Sequence, residues 1–600
     1  MSDTIWVRRW SSGAVTDRDF ERVRAFEGAA LHAGADAPAR AALVLIDGDA
    51  PDDAPELDAP RCDPAEFRRR YGLGLTPDER LAALRRAAAS GLPSYYRWPV
   101  ATALLAGCDD EDERRALAAE ANARMADLAP GDRWIARGAL DDAMAGRPAA
   151  SSAGASLWLQ AQHDRACAEW LLADPSRVPN LRELTIAGDD PAWALEVLRR
   201  LAGRRLDCVT LTQLGTRAWG DVLAALPADV GGVGLNYGDG GLALIKGLAA
   251  HPAWKALRTL RAHKNDAKAK GLKALVKAKK TAAFTELDLG YNGLNSEDFA
   301  ALAAAPWLDG VRALTVKYND ARVEGGRALL ASPRLHALER LDVGANEIGD
   351  EGLAALFANP AVTSLAHLEC EGNGQPPLVT VEGAARLGAW PGATSLRTLN
   401  LAKNKLGDEG LAALLKGEHL AGLRALDVQY NDCTPKLAAS LAGVDTPVRP
   451  RAVNLSGNAL GKAKFGAKPK APKASRKSLW ADARWLSECE WLNLYNTSLD
   501  ADTFAQIVCA PALAKVRWLD LSSNYGLGSE ALRFLIEAPL ARGLDALHVL
   551  YWRLKPGDGI ALASAPFAAT MMNLSVSKKD LDEADVAALQ RAYGTRLYLG

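Results

Sequence analysis

The sequence predicts an α/β solenoid: a horseshoe of stacked strand-helix units with an inner parallel sheet and outer helices, preceded by a mostly helical N-terminal domain. Three observations predict it. Residues 338–364 (LERLDVGANEIGDEGLAALFANPAVTS) and 396–422 (LRTLNLAKNKLGDEGLAALLKGEHLAG) are near copies 58 positions apart, identical over Gly349–Leu356 and Gly407–Leu414. The pattern L-x-x-L-x-L-x-x-N recurs fifteen times, starting at 181, 206, 230, 257, 284, 311, 338, 365, 396, 423, 450, 489, 516, 544 and 571, most often at intervals of 27 residues. Each copy also changes period midway, from alternation in LDLGYN (287–292) to helical spacing in DEGLAALF, where Leu353, Leu356 and Phe357 share one face. One strand and one helix cannot bury their own apolar sides, so such units form a core only by stacking in register.

Residues 1–150 lack the repeat and form the helical N-terminal domain, whose role the sequence does not assign. Within it, TPDERLAALRRAAASG (76–91) has Thr76 as a cap, Pro77 at the first helical position, Glu79 to complete a capping box and Gly91 to stop the helix. IDGDAPDDAPELDAP (46–60) is acidic and short of large apolar residues, which predicts a loop. Residues 151–180 are an N-terminal capping region, in which 156–175 is expected as a helix over the first strand with Trp158 and Trp170 sealing the core. The array proper runs over 181–580, and 581–600 supply a closing helix (582–594) and a last strand (596–599). Two intervals exceed the period. The 31-residue copy contains Pro376 and Pro377, and the 39-residue copy holds an insertion, 461–478, with seven basic side chains and no acid, expected to be disordered when free.

Position nine of the unit is asparagine at Asn265, Asn292, Asn319, Asn346, Asn373, Asn404, Asn431, Asn458 and Asn524. An amide at a strand's end can donate to and accept from the backbone of adjacent turns, so these residues are expected to form a structural ladder. Departures at Asp189, Leu214, Gly238, Thr497, Trp552 and Lys579 gather towards the ends, as expected of terminal repeats. The strand unit followed by GDEGLAAL resembles the leucine-rich repeat of the ribonuclease-inhibitor type, and similar arrays occur in bacterial proteins of unassigned function. The resemblance covers about 420 of the 600 residues. It implies a protein-binding concave sheet and leaves the partner open.

Strand alternation is expected to turn Leu289, Val343 and Leu401 inward and positions two, five, seven and eight towards the concave surface. Read down the stack, these positions give columns. Position eight holds Tyr237, Tyr291, Tyr318, Tyr430 and Tyr551, and position five holds Asp288, Asp342, Glu369, Asp427 and Asp520. Position two holds Arg182, Arg258, Arg312, Arg397, Arg424, Arg451 and Arg517. Tyrosine and arginine are the residue types that anchor interfaces, so the Tyr and acid columns with Arg312, Arg397 and Arg424 form the candidate protein-binding surface. Simple neutralisation of neighbours on a solvated sheet is the plainer alternative for the Arg and Asp columns.

Other functions find less support. Balanced charge, with 72 basic and 73 acidic side chains, gives no global field for nucleic acid or membrane. No segment has the ~18 apolar residues of a membrane span or the apolar run of a signal peptide, which predicts a cytoplasmic protein. Eight cysteines without a C-x-x-C pair are expected to be reduced, with Cys370 and Cys489 in the core. The histidines, of which His263 and His367 lie at strands and are expected on the surface, lack metal-ligand spacing, and no cofactor is expected. GNALGKA (457–463) is one residue short of a phosphate loop and lacks the Ser or Thr after the lysine. The glycines of GGVGLNYGDGG (231–241) fit a bend at a strand, and the lysines of 267–280 fit a solvated helix face. Two further readings stay open: an enzyme or effector with its chemistry in 1–150, where Cys62 beside Asp63 is the nearest thing to a nucleophile, and a nucleic-acid-associated regulator using the 461–478 loop.

Overall fold

The structure is a computed structural model that describes residues 77–89, much of 97–135, and 156–600 apart from short stretches such as 201–205, 214–220, 238–245, 266–274, 276–282, 464–468 and 473–478. The acidic 46–60 stretch, Cys62, Thr76, Gly91, most of the lysine-rich 267–280 stretch and Asn373 lie outside the described residues. In the N-terminal part, helices Pro77–Ala89 and Glu111–Arg124 share an apolar cluster with Trp98, Leu105, Cys108 and Met125. Arg80 of the first helix clamps Glu113 of the second at 2.6 and 2.9 Å. Asp110 caps the second helix through the N–H of Glu113.

Seventeen strands among the described residues make one open sheet: β1 (Ser156–Gln160), β2 (Glu183–Ala187), β3 (Cys208–Thr212), β4 (Gly232–Asn236), β5 (Thr259–Arg261), β6 (Glu286–Asp288), β7 (Ala313–Thr315), β8 (Arg340–Asp342), β9 (His367–Glu369), β10 (Thr398–Asn400), β11 (Ala425–Asp427), β12 (Ala452–Asn454), β13 (Trp491–Asn493), β14 (Trp518–Asp520), β15 (Ala546–Val549), β16 (Asn573–Val576) and β17 (Leu597–Leu599). Each strand pairs in parallel with the next in sequence. The register sets position four against position four, so Leu287, Leu314, Leu341, Leu368, Leu399 and Leu426 form one buried column. Leu289, Val343 and Leu401 are buried beside it. Both long copies keep this register, with Leu368 opposite Leu399 and Val453 opposite Leu492, so their extra residues are accommodated as loops.

One element departs from expectation. Residues 156–160 are the first strand, paired residue for residue with β2, with Leu157 and Leu159 buried; the helix there is confined to Arg165–Ala173, from which Trp170 packs on the array core. The insertion also has more order at its start than expected, because the N–H of Lys462 donates to Asp500 (2.8 Å) and that of Ala463 to the carbonyl of Ser498 (3.0 Å).

Two side-chain devices tie rung to rung. The repeated octapeptide places Asp350 and Asp408 in the first turn of an outer helix, and each carboxylate also accepts from the backbone N–H of a threonine in the next unit, Thr380 (2.9 Å) and Thr434 (2.8 Å). The asparagines of position nine lie behind the sheet edge. The Nδ2 of Asn404 donates to the Cys370 carbonyl of the preceding rung (2.9 Å) and to its own Leu401 carbonyl (3.1 Å), while its Oδ1 accepts from the N–H of Val379 (3.0 Å). Asn265, Asn292, Asn346, Asn431, Asn458 and Asn524 are buried in equivalent places, with Asn319 half-buried. Two exceptions keep different parts of this pattern: Thr497 Oγ1 bonds the Leu494 carbonyl of its own rung (2.8 Å) and Asn524 Oδ1 of the next (3.2 Å), whereas the indole N–H of Trp552 supplies the bond to the preceding rung (Leu521 carbonyl, 2.8 Å).

The concave sheet face as candidate binding site

Most strands cover positions three to five of the unit, so three and five share the inner face while four points into the core. Position two precedes the strand and is not on that floor. Arg182 pairs with Asp207 (2.8 Å), Arg312 with Glu339 (3.1 Å) and Arg451 with Glu490, each pair joining position two of one rung to position two of the next. Arg397 instead donates to the carbonyls of Thr394 (3.2 Å) and Leu396 (3.0 Å), Arg258 to those of Ala256 and Leu257, Arg517 to that of Gly543, and Arg424 is exposed at the same edge. This corrects the placing of the position-two arginines, Arg312 and Arg397 among them, on the concave face. Position three takes their place there.

Position five is partly architectural. Asp288, Asp342, Asp427 and Asp520 each accept from the N–H two residues on, at Gly290 (2.8 Å), Gly344 (3.1 Å), Gln429 (3.0 Å) and Ser522 (2.8 Å). Asn400, Asn454 and Asn493 make the same turn, a role for asparagine at this position that the sequence reading missed. The column continues as an acid-amide ladder: Asn400 donates to Glu369 (2.7 Å) and Asn454 to Asp427 (2.8 Å). Burial pushes the Glu369 carboxyl up to about 7 and the Asp427 carboxyl up to about 6, with repulsion from neighbouring carboxylates adding to both, and burial raises Asp342 as well.

Side chains of the chain itself meet several of the other acids of the floor. Lys317 reaches Asp342 (3.3 Å), Lys403 reaches Glu371 (2.6 Å) and His263 lies 3.4 Å from Asp288. Arg261 on β5 grips Glu286 (2.7 Å) and, across two intervening strands, Glu183 on β2 (2.8 Å). That reach depends on β4, whose Gly232 and Gly234 leave the floor bare; a Cβ at Gly234 would come within 2.3 Å of Thr210 Oγ1. His263 and His367 are half-buried here, contrary to the surface placement expected, and burial lowers the pKa of His367, which lies 2.8 Å from Thr398 Oγ1.

Position eight lies in the turn after the strand, and in nearly every rung its backbone is left-handed: Tyr237 (φ 55°), Tyr291 (56°), Tyr318 (52°), Tyr430 (52°) and Tyr551 (62°) among them. Four of these tyrosines are 38–52% exposed. With His263 they form a row of rings, Tyr237 to His263 at 5.7 Å, His263 to Tyr291 at 4.9 Å, and Tyr291 stacked on Tyr318 at 4.1 Å. A second aromatic group stands at position three, where Trp491 and Trp518 stack at 4.5 Å and His548 lies 4.9 Å beyond Trp518. The period contained this signal, since both tryptophans fall two residues after a unit's start.

The raised carboxyls give a sign-definite expectation. A group whose folded pKa exceeds its unfolded one adds most stability below the unfolded value near 4.5 and loses that contribution as pH rises through 6 to 7. Glu369→Gln, which keeps the Asn400 partner, should therefore be more stable than the native chain at pH 8, by on the order of 2 kcal/mol, and gain little at pH 4.5. Urea melts at the two pH values check this; equal differences at both would contradict the assignment.

Among the described residues no His/Cys/Asp/Glu group could hold a metal ion and no helix is long and apolar enough to cross a membrane. Comparison with known proteins bears on the repeat. The family model described as Leucine Rich repeat matches residues 335–357 and 392–415. No curated protein matches the chain. Among solved structures, the chain is similar to one in the crystal structure of the Rad7 and Elc1 complex in yeast, at 16% identity and a TM-score of 0.35, over 55% of this chain and 75% of that one.

Proposed function

We propose that this leucine-rich repeat protein is a non-enzymatic scaffold that holds a protein partner on the concave face of its sheet, in the manner of arrays of the ribonuclease-inhibitor type. One observation carries the reading. The position-eight tyrosines, set in a left-handed turn that nearly every rung shares, leave four rings 38–52% exposed along one line of the array. A ring so exposed adds little to the core. It gives a partner area to bury with little entropy to lose. Arg312, Arg397 and Arg424 act at the rim, where a partner extending past the sheet edge would meet them.

The test uses the full chain as bait, native and in two variants. Thr315→Arg plants a large cation on the floor between Asp288 and Asp342, and Ala300→Arg places the same side chain on the exposed face of an outer helix. Proteins captured by the native chain and by Ala300→Arg but lost by Thr315→Arg are expected. Undiminished capture by Thr315→Arg, with its thermal melt unchanged, would sink the reading.

A further inference from the structure

Resting on the concave-face reading, we infer that the part of the face on β11 to β13 is a seat for an arginine presented by the partner protein, with Asp427 as its counterion. The seat is made by side-chain size. Position three is alanine on two successive rungs, Ala425 and Ala452, and the following turn of β12 carries Ser456 and Gly457, so the floor is low there. Aromatic rings rise around it. Trp491 packs against Ala452 with Trp518 stacked behind it. Tyr430 lies over Gly457, so closely that a Cβ there would meet its ring at 2.4 Å, and Tyr495 is 36% exposed on the next rung.

Charge selects the occupant. Along this face the chain supplies its own cation to Glu183 and Glu286 (Arg261), Asp342 (Lys317) and Glu371 (Lys403), and Asp288 has the His263 ring beside it. Asp427, like Glu369, makes no ion pair among the described residues; the charge of Lys403, which pairs with Glu371, is felt at Asp427 without a contact. The hydrogen-bond donors to Asp427 among the described residues are the N–H of Gln429 at 3.0 Å, the Nδ2 of Asn454 at 2.8 Å and the Nε2 of Gln429 at 3.4 Å, all neutral. Amides hold a carboxylate in place without cancelling its charge. A guanidinium matches what remains: a planar fork for the carboxylate and a flat face for the rings, which the compact, strongly hydrated ammonium of lysine lacks.

A random twelve-residue peptide display library selected against the full native chain tests this. The expected outcome is enriched peptides that carry arginine, bind Asp427→Asn about ten- to a hundredfold more weakly, and weaken when that arginine is changed to lysine. The variant should fold, because asparagine already makes the position-five turn at Asn400, Asn454 and Asn493. Peptides lacking arginine, or indifferent to Asp427→Asn, would overturn the arginine seat. If such peptides are still blocked by Ala425→Trp or Thr315→Arg, the concave-face reading survives that failure; if neither variant affects them, both fall.

Discussion

Asn458→Ala should cost the array about 3 to 5 kcal/mol, more than any single surface change, because it strips partners from four buried backbone groups at once. The Nδ2 of Asn458 donates to the Val428 carbonyl of the preceding rung and to its own Leu455 carbonyl (2.9 Å each), and its Oδ1 accepts from the N–H groups of Asn431 and Cys433 (3.0 Å each). The residue is 1% exposed, so water cannot take these places. In a solenoid the loss falls on one interface between neighbours, and the unfolding transition is expected to split, with the rungs on either side of β11 and β12 melting separately. Asn458→Thr should fall between the native chain and the alanine variant, since the Thr497 hydroxyl keeps the bond within its own rung but makes none to the carbonyl of the preceding one. Urea unfolding with hydrogen exchange reads both. A loss under about 1 kcal/mol with a single transition would mean that the ladder is incidental to stability.

The same bonds explain why so much of the fold could be read from sequence. A leucine that must lie beside its equivalent in the next rung, and an asparagine that must reach back one rung, both recur at the repeat interval, and recurrence is visible in a single chain. The first rung was legible by the same rule and was missed: Leu157 stands 27 residues before Leu184, its partner across β1 and β2. Gly154 occupies the place of the opening leucine there and Gln162 that of the asparagine, so the motif fails while the spacing holds. The inner face was less legible. Most strands here are three residues long, and strict alternation counted from position five puts position three, with Trp491 and Trp518, on the floor and position two off it; setting position two beside position five broke that alternation. Left-handed geometry at position eight had a weak signal in Gly188, Gly457 and Asn496, which the tyrosines in the same column concealed.

That geometry also allows binding to be separated from folding. Replacing Tyr291, Tyr318 and Tyr430 together by alanine should weaken partner binding by about 4 kcal/mol, roughly a thousandfold, if the tyrosines are anchors. The contributions should not be equal. Tyr291 and Tyr318 stack on each other at 4.1 Å, so their two single losses should sum to something other than the double loss. Tyr430 is four rungs from Tyr318, about 19 Å at the usual strand spacing, and its effect should add independently. A measured affinity unchanged in the triple variant would remove the tyrosines from the site. Glycine gives the more discriminating experiment, because at a left-handed position it relieves backbone strain while deleting the ring. Tyr430→Gly should keep or raise the melting temperature and still weaken binding, two effects of opposite sign that a structural role for the ring could not produce.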